Sequence, residues 1–213
     1  MKKPDIRSFQ NQNTENWALI FDEKHLIRTP SWQFHVDYRS LSFNHIQQNP
    51  FNKIFKNTPK HMRICDASAG LGRDSYLITE LGFQVDSIEQ HPVLFTLMQE
   101  GHEKCLRKKE IWHLHHDQCE NLIGDIISPD IIYFDPMFEK KIKLSQKYTQ
   151  VLQHYAESAT DKTMDTFNFL YNYCQANGLR LLMKQPQKSK SHFPKAHHRF
   201  QTSRNCECWI YQF

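Results

Sequence analysis

At 213 residues the chain is long enough to bury one substantial core and short for two full-sized domains. Its formal charge of +4 is uneven: residues 1–138 hold 15 Lys and Arg against 18 Asp and Glu, whereas 139–213 hold 12 against 5, so the C-terminal part is the expected surface for a polyanion. No window approaches the ~20 consecutive apolar residues of a membrane span, and the opening Met1-Lys2-Lys3-Pro4-Asp5 is not followed by an apolar signal core, which points to a soluble, cytoplasmic protein.

In chain order, residues 1–16 are polar and read as a frayed leader. Residues 17–60 read as an N-terminal β-rich cap and linker. Short apolar runs broken by Asp22-Glu23-Lys24 and Thr29-Pro30-Ser31 suggest a small β-meander, and the mixed stretch after Ser42 a partly helical linker. From residue 61 strands alternate with helices. Strands are predicted over 62–67, 83–89, 111–115, 131–134 and 179–183, with helices over 73–81, 92–108 and 164–176. Pro92 opens the second of these helices and Asn177-Gly178 closes the third. Residues 198–213 carry no helix signal and read as a hairpin at a sheet edge. The alternation predicts an α/β domain over 61–213, with a mostly parallel sheet and helices on both faces.

The six cysteines contain no C-x-x-C pair and read as reduced thiols. Cys206 and Cys208 lie near His197 and His198 without the spacing of a zinc knuckle, so no metal is expected.

The segment Asp66-Ala67-Ser68-Ala69-Gly70-Leu71-Gly72-Arg73-Asp74 follows the first predicted strand, opens the first helix and holds two of six glycines. Gly70 and Gly72 let backbone approach a ligand. A dinucleotide fingerprint would have a third glycine where Ser75 stands. That favours a ligand without pyrophosphate, such as the methionine portion of S-adenosylmethionine, over a nicotinamide cofactor. Glu89, ending the second strand, is placed to accept hydrogen bonds from ribose hydroxyls, and Asp117, past the third, to meet an adenine amino group.

Asp135-Pro136-Met137-Phe138 follows the apolar strand Ile131-Ile132-Tyr133-Phe134 and should emerge at the sheet edge that holds the glycine loop. The order acid, proline, residue, aromatic resembles the Asp/Asn-Pro-Pro-aromatic motif of amino-methylating enzymes. An exocyclic amine is a poor nucleophile because its lone pair is conjugated with the ring. A side-chain oxygen and a backbone carbonyl that accept its two N–H bonds redirect that lone pair, while an aromatic ring stacks on the base. Asp135, Pro136 and Phe138 are therefore the expected catalytic residues. Lys140, Lys141, Lys143, Lys147, Lys184, Lys188, Lys190, Lys195, Arg199 and Arg204, interleaved with Phe138, Tyr148, Phe193 and Phe200, read as a phosphate-contacting rim with stacking residues.

Together Val36-Asp37-Tyr38, the Ala69-Gly70-Leu71-Gly72-Arg73-Asp74 string, Glu89-Gln90-His91-Pro92, Phe134-Asp135-Pro136-Met137-Phe138, Met183-Lys184-Gln185-Pro186 and His198-Arg199-Phe200 resemble the ribosomal RNA small subunit methyltransferase J family, from about Trp17 to the C-terminus. The resemblance implies a class I, Rossmann-like methyltransferase fold, S-adenosylmethionine as cofactor and the 2-amino group of a guanosine in 16S ribosomal RNA as target. The implied partner is that RNA or the small ribosomal subunit. It also implies cofactor contacts at Arg73, Asp74, Glu89, Gln90, Asp117, Gln118 and Asp135, beside Asp66, Gly70 and Gly72 of the loop itself. Departures bear on substrate: residues 42–59 hold no Gly and no Arg where the family carries a segment rich in both, Glu139 stands in place of proline and Gln185 in place of arginine. Methylation of adenine N6, cytosine N4 or DNA, and a catalytically silent RNA-binding protein, are the rival readings. Retention of the loop glycines and Asp135 counts against the silent protein.

Overall fold

The computed structural model describes residues 18–21, 25–41, 48–105, 108–136, 147–155, 160–187, 193–203 and 205–213. The leader, Phe138, Lys140, Lys141, Lys143, Lys188, Lys190 and Arg204 lie outside the described residues. The expected meander is present as β1 (Ala18–Phe21), β2 (His25–Arg28) and β3 (Gln33–Phe34), paired antiparallel in that order. Of the linker, Phe51–Ile54 forms one short helix, α1.

The rest alternates as expected: β4 (Arg63–Asp66), α2 (Arg73–Glu80), β5 (Gln84–Ile88), α3 (Pro92–Glu103), β6 (Trp112–His115), β7 (Ile131–Phe134), α4 (Lys147–Tyr155), α5 (Thr160–Asn177), β8 (Arg180–Pro186), β9 (His198–Ser203) and β10 (Cys206–Gln212). Among the described residues seven strands form one sheet in the order β6-β5-β4-β7-β8-β10-β9. The five from β6 to β8 are parallel, and β10 runs antiparallel to both β8 and β9. All four residues of β7 are buried, as a central parallel strand covered on both faces requires. Ile64, Val85, Ile131, Tyr133 and Leu182 point toward Leu77, Ile78, Val93 and Leu97 of α2 and α3. Their sequence neighbours Cys65, Ile132, Leu181 and Met183 pack on Phe167, Leu170 and Cys174 of α5. That alternation gives one apolar layer on each face of the sheet. No helix among the described residues is long and apolar enough to cross a membrane.

Three boundaries differ from expectation by three residues or more. The helix predicted to reach Lys108 stops at Glu103, because the N–H groups of Lys104 and Cys105 turn back to Gly101 and His102 and tighten the last turn. Helix α5 begins at Thr160 rather than Met164, and β8 runs on to Pro186 because β10 supplies ladder partners up to Cys206. Helix α4 was not expected. Its inward residues Tyr148, Val151, Leu152 and Tyr155 repeat with helical spacing, a signal obscured by the lysine-rich stretch before it.

The cap reaches the centre of the fold through Tyr38, whose hydroxyl donates to the Leu71 carbonyl at 2.7 Å and whose ring stacks on Tyr76 at 5.1 Å. Gly101 is what lets this strap lie against α3: a Cβ there would fall 2.5 Å from Val36 and 2.7 Å from Tyr38. Removing the donor leaves a buried carbonyl without its partner, which costs about 1–3 kcal/mol. Tyr38→Phe is therefore expected to lower the chemical-denaturation midpoint accordingly, and a variant as stable as the parent would show that this bond does not latch the loop.

Candidate active site at the carboxyl edge of the sheet

Strand β4 has β5 on one side and β7 on the other, so the chain reverses its direction of winding between them. In an open parallel sheet this is where a crevice forms beyond the strand ends. The loops that meet there are 67–72 after β4, 89–91 after β5 and 135–136 after β7. They are tied together by backbone. Ala67 N–H donates to the Tyr133 carbonyl and Ala69 N–H to that of Ile88, both at 2.9 Å. Asp135 N–H donates to Ser68 Oγ at 2.8 Å.

Gly70 and Gly72 have φ of +56° and +72°, a region in which a side chain is strained. A Cβ at Gly72 would also lie 2.5 Å from Tyr38 Oη, and one at Gly70 would lie 2.9 Å from Leu152. The glycines thus serve the turn and the packing of the cap and α4 on it, in addition to the ligand approach inferred from sequence.

Asp66, 1% exposed, sits beneath the turn. One carboxylate oxygen accepts from Ser75 Oγ and the other from Ser68 N–H, which braces the loop. Burial pushes its carboxyl up to about 7 against the pull of those two donors. Glu89 is similarly enclosed, at 7% exposed. Its Oε2 accepts from Gly70 N–H at 2.7 Å and its Oε1 from His91 N–H at 2.6 Å, and burial raises it to about 7. The amide that a glycine loop would offer to phosphate is therefore taken by a carboxylate. Gln90, beside Glu89, is exposed.

Asp74 lies in the first turn of α2. Its Oδ2 accepts from Tyr133 Oη at 2.6 Å and from Lys184 Nζ at 2.8 Å. The same ammonium donates to Asp135 Oδ2 at 2.7 Å. Burial works against each charge, but Lys184 holds Asp74 below the ordinary carboxylate range, and the two acids hold Lys184 well above its own. Asp135 is left raised, burial being the larger effect and Asp74 adding to it. The side chains of Lys184, Asp74 and Asp135 are 27%, 22% and 30% exposed, so the triad forms part of the crevice wall.

Arg73 opens α2 with its guanidinium 5.9 Å from the Tyr148 ring. Asp117 and Gln118 are exposed on the loop after β6, where Asp117 Oδ1 accepts from Gln118 N–H and Asn121 Nδ2, both at 2.7 Å. The expected residues thus fall on the loops at one edge. The structure links Gly70 to Glu89, and Asp74 to Asp135 through Lys184; Asp66 bonds to Ser68 and Ser75, and the bonds of Asp117 are local.

The basic rim changes most. Lys184 belongs to the acid pair, because Asp74 and Asp135 both claim its ammonium. Tyr148 packs edge-on to Phe34 at 6.4 Å, and Phe193 packs on Phe167 at 4.6 Å, so both rings contribute to the packing of the fold. Lys147 lies 5.8 Å from the Trp32 ring. Lys195, Arg199 and Phe200 are exposed, with Arg199 4.1 Å from the Trp209 ring. Ser68 and Tyr133 are candidate-site residues that sequence reasoning did not single out; Lys184, expected in the rim, stands instead between two acids of the site.

A family model described as "Putative SAM-dependent methyltransferase" matches residues 12–212. The protein named Ribosomal RNA small subunit methyltransferase J from Buchnera aphidicola is 36% identical over 130 residues, 56% of this chain and 52% of the relative. The protein of the same name from Haemophilus influenzae is 30% identical over 158 residues, 70% and 60% of the two chains. The chain thus spans between about half and three fifths of the length of these relatives. Among solved structures, a SAM-dependent methyltransferase from Neisseria gonorrhoeae matches with a TM-score of 0.59 at 21% identity, over 89% of this chain and 78% of that one. A mutant of MtNAS in complex with S-adenosylmethionine matches with a TM-score of 0.52 at 10% identity, over 82% and 64%. These two likenesses extend to the fold, which is the class I, Rossmann-like arrangement expected from sequence.

Proposed function

The chain belongs to the family of SAM-dependent methyltransferases, and from that premise we propose that it methylates the exocyclic 2-amino group of a guanosine in small-subunit ribosomal RNA. The observation that carries this reading is the junction of Asp135-Pro136 with the glycine loop at the switch point of the sheet, through Asp135 N–H and Ser68 Oγ. The names of the curated relatives and the excess of 12 Lys and Arg over 5 Asp and Glu in residues 139–213 support RNA as the substrate, in the cytoplasm, free or within the small subunit.

The residues present fit the cofactor. Asp66, Asp74, Glu89 and Asp135 line or brace the crevice, an acidic setting that suits a ligand with a cationic amino group and sulfonium and repels a pyrophosphate. When bound, S-adenosylmethionine supplies an electrophilic methyl group. Glu89 and Gln90 would hold its ribose, Arg73 and Asp74 its amino-acid end, and Asp117 and Gln118 its adenine. Asp135 offers Oδ1, to which no described residue donates, as acceptor for one N–H of the target amine; the backbone at Pro136 offers a carbonyl for the other. Held so, the amine lone pair leaves conjugation with the ring and points at the donor. Phe138 supplies the stacking ring. Transfer of the methyl group to nitrogen would release S-adenosylhomocysteine and leave nitrogen with one proton to lose, which Asp135, raised by burial, would accept through the N–H it holds.

Isotope-labelled methyl donor offered with small-subunit RNA, large-subunit RNA and DNA tests this. Label is expected in small-subunit RNA, and label confined to DNA or to large-subunit RNA would overturn the reading.

A further inference from the structure

Lys184 is 49 positions from Asp135 and 110 from Asp74, yet it donates to Oδ2 of each. We infer that Lys184 is the positioning residue that makes position 135 a carboxylate site: by holding Oδ2 it turns Oδ1 toward the incoming amine and excludes an amide there. The inference rests on the amine methylation proposed above and assigns a residue that the Asp/Asn-Pro-Pro-aromatic motif does not contain. In that motif Asp and Asn are interchangeable, because each offers an oxygen at the same reach.

Beside Lys184 they are not interchangeable. An ammonium has donors only. An Asn at 135 must therefore give its single oxygen to Lys184 and present its NH2 to an amine that is itself a donor, or turn the NH2 onto the ammonium. Either way one donor faces another. A carboxylate has two oxygens and serves both partners. Asp74 cannot relieve the conflict, since its Oδ2 already takes the Tyr133 hydroxyl and shares the same ammonium. Lys184 also neutralises two acids that would otherwise repel each other across the crevice, which keeps Asp135 available as a carboxylate.

The signature is a reversal of sign in a double-mutant cycle. With saturating donor and RNA, Asp135→Asn is expected to lower kcat by about 100-fold or more, the order found for losing a group aimed at the transition state. Lys184→Met should lower it by about tenfold at neutral pH. Combining the two should raise kcat at least tenfold above Asp135→Asn alone, because the amide oxygen is then free to face the amine. A residue that merely supports the fold would make the double variant slower than either single one. A double variant no faster than Asp135→Asn overturns the inference.

A second measurement does not depend on turnover. Carbon-13 NMR of the aspartate carboxyls in the ligand-free chain should place the Asp135 midpoint at least one pH unit higher in Lys184→Met than in the parent; Lys184→Arg, which keeps the charge, should leave it within half a unit. An unmoved midpoint in Lys184→Met overturns the inference. If Lys184→Met does not fold, Lys184→Gln takes its place in both experiments. Absence of methylation by the unaltered chain would count against the proposed function, while the titration would still decide the role of Lys184.

Discussion

Asp135→Ala is expected to reduce kcat by at least about a thousandfold, on the order of 4 kcal/mol of transition-state stabilisation, while the donor dissociation constant stays within about tenfold, or 1.4 kcal/mol. The side chain sits where the amine must be held, and its contact with the donor is shared with Asp74 and Glu89. The backbone junction to Ser68 uses the Asp135 N–H, which alanine keeps, so the loop itself should persist. Lys184 retains Asp74 as partner at 2.8 Å and is not stranded. Single-turnover kinetics beside donor calorimetry separate the two effects. Loss of donor binding equal to the loss of rate would make Asp135 a cofactor residue and leave the amine to the backbone at Pro136.

Glu89→Ala should weaken donor binding by about 1.5–3 kcal/mol, the range for hydrogen bonds to a charged group, and the variant should lose part of the order of the glycine loop because Gly70 N–H loses its acceptor. The pH dependence supplies the sign. Burial raises Glu89 to about 7 in the free chain, and ribose hydroxyls that donate to its carboxylate favour the ionised form, so binding should release a proton near neutrality and affinity should fall as pH drops below about 7. Calorimetry in buffers of different ionisation enthalpy reads that proton directly. Glu89→Gln should abolish most of the release; a parent chain that releases no proton between pH 6 and 7 would show that Glu89 does not meet the donor.

What was legible in the sequence was what local pattern encodes. The four apolar residues of β7 between Pro129-Asp130 and Asp135-Pro136 mark a buried strand and its end. Pro92 and Gly178 mark helix termini, and the glycine turn between β4 and α2 marks the ligand edge. Helix α4 carries a helical stripe but follows a run of lysines that reads as surface. The triad was illegible for a different reason: a lysine near the end of an apolar strand gives no sign of acids that only the parallel sheet brings beside it. Tyr38 is a similar case, since its partner carbonyl at Leu71 is 33 positions away and nothing local links a cap residue to the glycine loop. Asp66, expected among the cofactor residues of the loop, is bonded beneath it to Ser68 and Ser75, and the second of these lies nine positions on.

Mass analysis of nucleosides from undermethylated small-subunit RNA, incubated with the protein and donor carrying a deuterated methyl group, identifies the target base. Deuterated N2-methylguanosine that disappears with Asp135→Ala is the expected result; the same label recovered as N6-methyladenosine or N4-methylcytidine, with none on guanosine, would contradict methylation of a guanine amine.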